Sequence, residues 1–116
     1  MRQASLQIGG HDTCTIVSIT ESAQERMRGL LGRDSLPSHE ALLLQKCWSV
    51  HTFGMRFAID VLFLDRRQRV VAIHHEVPRR RVLASLRATQ TLEMPAGAAR
   101  RLGLEIGDPL TFEASA

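Results

Sequence analysis

Two carboxylates in this chain sit among apolar neighbours, where an unpaired charge is costly. Asp60 lies within Ile59 to Asp65, and Glu93 lies between Leu92 and Met94, just before a Pro-Ala-Gly turn. If Ile59 to Asp65 is a strand, Asp60 shares one face with Leu62 and Leu64, while Ile59, Val61 and Phe63 share the other. Such a carboxylate is either a pocket acid that orients a ligand or a structural group accepting backbone N–H or arginine hydrogen bonds. The same two readings apply to Glu93. Two carboxylates facing one cavity would do acid–base work; a buried salt bridge from one of them to Arg28, Arg33 or Arg56 is the structural counterpart. His51 and Thr52 precede a Gly-Met turn. With Met55, Asp60 and Glu93 they form the candidate ligand-binding set.

The remaining polar residues carry less. His74 and His75 are adjacent, so a regular strand points them to opposite faces. No His-x-His or His-x₃-His spacing occurs, and convergence of His51, His74 and Asp60 on a metal would depend wholly on the fold. No metal site is assigned. Cys47 and Ser49 lie near His51 but form no nucleophile elbow or Cys/His signature. No Gly-x-Gly-x-x-Gly or Walker-type loop is present, and no cofactor is implied.

The net charge is +3. Residues 66–87 concentrate it, with seven arginines against the single Glu76. Arg79, Arg80 and Arg81 follow Pro78 in an expected loop and are the candidate polyanion site. Four Phe, one Trp and no Tyr supply no stacking platform, which argues against nucleic acid.

With 116 residues, 44% hydrophobic and 23% charged, the chain suits one folded domain over residues 1–116 and excludes disorder as its main state. Cys14 and Cys47 form no CxxC unit and read as reduced thiols. Neither a signal-peptide apolar run nor a span of about 20 apolar residues appears. The expectation is a soluble, cytoplasmic protein with an unknown small-molecule or protein partner.

The elements that must position these residues are mostly strands. Thr13 to Ile19 alternates and is β-branched. Thr20 is the expected N-cap of an amphipathic helix of about ten residues, with Ala23, Met27, Leu30 and Leu31 as its stripe and Gly32 as its stop. Ala41 to Trp48, Ile59 to Asp65, Arg69 to Val77, Thr89 to Met94 and Leu110 to Glu113 read as strands, and Ala98 to Leu102 as one short helical turn. Six to seven short strands with one helix and one turn predict a mainly β domain, a small barrel or sandwich.

In chain order stand ERMRGLLGR, VHTFGMRFAIDVLFLD, VVAIHHEVP, LEMPAGAARRLGL and EIGDPL. Their order and spacing resemble the family known as domain of unknown function 192, from about Ile16 to Phe112. The resemblance implies a compact, mostly β domain with a short helix, and implies no activity. Many relatives carry a WMKNT-like string ahead of a proline-hydrophobic-Asp step. Here His51 to Met55 occupies that stretch and Ala58 the proline position, so a pocket lined by that Trp and Thr would differ in this chain.

The reading is a binding or accessory module with a shallow pocket around Asp60. The alternatives are a small hydrolase or metal-dependent enzyme using Asp60, Glu93 and a histidine, and a polyanion binder acting through Arg79 to Arg81.

Overall fold

Short apolar and β-branched runs, alternating in some strands and continuous in others, drive this chain into sheet. The computed structural model describes residues 1–114. In chain order the elements are β1 (Arg2–Ile8), β2 (His11–Ile19), α1 (Ala23–Arg28), β3 (Glu40–Gln45), β4 (Ser49–His51), β5 (Ile59–Leu64), β6 (Val70–Val77), β7 (Val82–Ala84), β8 (Gln90–Pro95), α2 (Ala98–Arg101) and β9 (Leu110–Ala114). Seven strands make one sheet in the order β6-β5-β8-β3-β2-β1-β9, and β4 pairs with β7 in a small second sheet. The edges of the large sheet meet at one end through an Arg69–Pro109 bridge, but they do not pair along their length. The fold is therefore mainly β and sandwich-like, without a closed barrel, and has nine strands among the described residues rather than six to seven.

The two faces of the large sheet hold separate cores. Leu6, Val17, Leu62, Leu64, Leu92 and Met94 pack on the inner, concave side together with Ala98 and Ala99 of α2. Leu42, Leu44, Val61 and Phe63 point the other way. That outer face is covered because β2 and β3 are parallel, and a parallel pair needs a crossover connection. The crossover carries α1 and lays Leu30 and Leu36 on the outer face, where Val50 and Leu83 of the small sheet join them.

The helix differs from its expected form. Ser22, not Thr20, is the N-cap, and its side chain accepts from the Glu25 N–H. Thr20 is fully buried; its hydroxyl donates to Leu43 O and accepts from Gln45 N–H, stitching the end of β2 to β3. The helix stops at Gly29, where φ is +49°, a left-handed backbone that favours glycine. It is thus six residues long and buries none of them; Met27 of the expected stripe is exposed, and the burial falls on Leu30, just past the helix. Strand β3 likewise ends at Gln45 rather than Trp48, because Lys46 takes a positive φ of 52°.

Candidate functional site

Strand register decides which carboxylates can meet. Asp60 pairs with Met94, and Val61 pairs with Glu93. Paired residues share a face, so Asp60 points to the concave core and Glu93 to the outer core. The expected pocket shared by Asp60 and Glu93 does not form, because neighbouring pairs in a ladder alternate sides.

Asp60 is wholly buried and fully employed. Its Oδ1 accepts from the N–H of Glu76 at 2.8 Å and of Gly97 at 3.2 Å, and its Oδ2 accepts from Ala99 N–H at 2.9 Å. Gly97 opens α2 and has no side chain with which to cap it. The carboxylate supplies that cap from the sheet, where the unpaired N–H groups at a helix start favour an anion. Asp60 thereby fixes both α2 and the irregular end of β6, where Glu76 takes a φ of +50°.

Glu93 stands in the opposite condition. It is 5% exposed, and burial alone raises its pKa from 4.5 to about 7. No described residue donates a hydrogen bond to its carboxyl, and neither it nor Asp60 has an arginine partner. Arg33 pairs instead with Glu40, and Arg56 with Asp34, which corrects the expected buried salt bridge. Glu93 faces a groove of about 480 Å³ between the α1 crossover and the small sheet. Gly29 lies over Glu93 and adds no side chain to the groove. A Cβ there would lie 3.9 Å from Glu93 Oε1, an ordinary van der Waals contact. Leu30, Leu44, Val50 and Met55 supply apolar lining, and Arg26, Arg28, Lys46 and His51 bring positive or polar groups. Among the described residues Glu93 is the only acid lining it.

Of the five sequence-predicted pocket residues, the structure brings together His51, Met55 and Glu93. Asp60 is on the other face, and Thr52 is buried away from the groove. The Thr52 hydroxyl donates to Pro78 O at 2.7 Å and accepts from Arg81 N–H at 2.9 Å, tying the arginine loop to the end of β4. Thr52→Val is expected to cost about 1–3 kcal/mol, because Pro78 O and Arg81 N–H both lose a partner. Chemical denaturation measures the loss, and hydrogen exchange at Arg81 should accelerate with it.

His74 packs edge-on against Phe63 on the outer face, so His51, His74 and Asp60 do not converge. Among the described residues no cluster of three His, Cys, Asp or Glu side chains could hold a metal ion. Cys14 and Cys47 are free thiols; the Cys47 thiol donates to Ser49 O. Arg79, Arg80 and Arg81 are exposed in the loop between β6 and β7. The residues missed from sequence are Gly29, Arg26 and Lys46. The glycine inside the apolar ERMRGLLGR stretch was the available signal, but only the crossover reveals what lies beneath it.

Comparison with known proteins gives the same fold and no assigned activity. A protein of unknown function from Novosphingobium aromaticivorans superposes with a TM-score of 0.80 at 19% identity, covering 94% of this chain and 84% of that one. A "putative transcription regulator" from Sinorhizobium meliloti superposes with a TM-score of 0.81 at 21% identity, covering 96% and 92%. At these identities the likeness concerns the fold alone. A UPF0127 protein of Thermococcus sibiricus is 32% identical in an alignment 105 residues long that covers 84% of this chain and 66% of that relative's length. No described helix is long and apolar enough to cross a membrane. The family model described as an uncharacterised ACR, domain of unknown function 192, matches residues 4–112, and the chain belongs to that family.

Proposed function

We propose that this protein is a binding module whose small-molecule ligand sits in the groove above Glu93. One observation carries the reading: a carboxyl that is 5% exposed has no hydrogen-bond donor among the described residues and forms part of an open groove. The carboxyl oxygens open onto the groove, and a ligand that donates to this largely desolvated acid gains a hydrogen bond there. The apolar walls favour an apolar ligand body. Arg26, Arg28 and Lys46, with Glu93 the only acid lining the groove among the described residues, favour an anionic outer end and disfavour an ammonium ion. The ligand class is a small organic anion with an uncharged donor, such as a hydroxyl, at its inner end.

An enzyme using Asp60 and Glu93 together would need both at one cavity, and the sheet separates them. The binding reading is tested with 4-hydroxyphenylacetate as probe and phenylacetate as its donor-free control, followed by amide NMR shifts. The expected result is shifts clustered at Gly29, Val50 and Met55, with phenylacetate weaker by roughly tenfold, the worth of one hydrogen bond to a buried group. Glu93→Leu should erase that difference. Equal affinity for both probes, or shifts centred elsewhere, would refute the site.

A further inference from the structure

A second surface borders the groove and shares Lys46, Ser49 and His51 with its rim. Residues 46–58 and 78–88 contain Lys46, Arg56, Arg79, Arg80, Arg81 and Arg87 and not one acid. The small sheet joins these segments: Ser49 pairs with Ala84, Val50 with Leu83 and His51 with Val82. Val50 and Leu83 turn inward to the outer core, whereas Ser49, His51, Val82 and Ala84 are exposed. Large apolar side chains extend this outer side at both ends. Phe53 lies beside the arginine loop, which Thr52 holds through Arg81. Trp48 lies beside Leu86, because Trp48 O accepts from Ser85 N–H. Trp48 and Phe53 are half exposed, Val82 is 66% exposed and Leu86 is 88% exposed.

We infer that this face is a peripheral docking surface for an anionic phospholipid bilayer. Charge complementarity selects the occupant: Arg56 is paired with Asp34 and Arg87 lies near Asp65, but Lys46, Arg79, Arg80 and Arg81 have no carboxylate partner among the described residues, and these cations beside exposed apolar side chains suit the headgroup boundary of an acidic leaflet. There apolar residues bury and arginines meet phosphates. Tryptophan in particular favours that boundary. An acidic peptide would use the same cations but leave Leu86 and Val82 in water.

Trp48 is the only tryptophan in the chain, so the protein reports on its own docking. Its fluorescence is followed on vesicles of equimolar phosphatidylglycerol and phosphatidylcholine, and on phosphatidylcholine alone. The expected result is a blue shift, with quenching by brominated lipid, on the acidic vesicles only. Replacing Arg79, Arg80 and Arg81 together by alanine should weaken partitioning by about a hundredfold, from the general worth of each basic residue near an acidic surface. Leu86→Ser should keep the salt dependence but reduce the blue shift; circular dichroism confirms that each variant is folded. No shift on acidic vesicles would overturn the inference. So would a wild-type protein that binds heparin or polyglutamate while ignoring vesicles, since that outcome assigns the cations to a soluble polyanion.

Discussion

Asp60→Ala is expected to lower the unfolding free energy by about 3–5 kcal/mol, the largest effect of any single substitution considered. Three backbone N–H groups, those of Glu76, Gly97 and Ala99, donate to this one carboxylate. Each is left unpaired by the change, at about 1–3 kcal/mol per buried donor, moderated where water enters the cavity. Natural domains of this size have a total of about 5–15 kcal/mol, so the variant should sit near the limit of stability. Asp60→Asn should lie between the two. It keeps one accepting oxygen but turns an amide N–H₂ toward a backbone donor. Urea denaturation measures both, and hydrogen exchange at Gly97, Ala99 and Glu76 should rise ahead of the rest. A loss under about 1 kcal/mol would mean that the three hydrogen bonds do not hold α2 in place.

The second large effect is a dependence of stability on pH that runs against the usual carboxylate behaviour. The folded pKa of Glu93, about 7, lies above its ordinary 4.5, so the folded protein binds this proton more tightly than the unfolded chain does. Below pH 4.5 the group is protonated in both states, and its contribution is fully retained. As pH rises from 4.5 to 7 the unfolded chain ionises and the folded one resists, so stability falls. Above pH 7 the loss is complete, at about 3 kcal/mol from about 1.4 kcal/mol per pKa unit. Glu93→Gln removes the titration while keeping size and polarity. The stability of the variant relative to wild type should therefore climb by about that amount between roughly pH 4 and pH 8. Parallel pH profiles for the two proteins would contradict it.

Much of the sheet was legible because alternation leaves a local mark. Strand β5 carries its inner and outer residues at strict two-residue spacing, and the structure gives Asp60 the face of Leu62 and Leu64 that this spacing predicts. Strand β1 was missed although Ala4, Leu6 and Ile8 alternate there, because glutamine and serine between them dilute the apolar signal. Strands β4 and β7 have three residues each, too few for any period to show. The helix end was misplaced because two glycines compete. Gly29 and Gly32 both adopt positive φ, and the first to do so ends the helix.

The site was less legible for a different reason. Leu92 and Met94 already place Glu93 on the face opposite to theirs, yet nothing local says how that face relates to Asp60. The relation rests on the pairing of Asp60 with Met94, between strands separated by more than twenty residues of intervening chain. The groove depends on a still longer relation, since Gly29 reaches Glu93 only through the parallel crossover. What the sequence marked correctly was the chemical anomaly, an acid between two large apolar residues. Its partner-free state is a property of the assembled faces.

The carboxyl carbon of Glu93 can be followed by carbon-13 NMR in the intact protein as pH is raised. A midpoint near 7 is expected, the signature of an acid desolvated without a protein donor beneath an open groove. A midpoint in the ordinary range near 4.5 would show that water or a protein group already solvates the charge, and the groove would lose the feature that makes it a binding site.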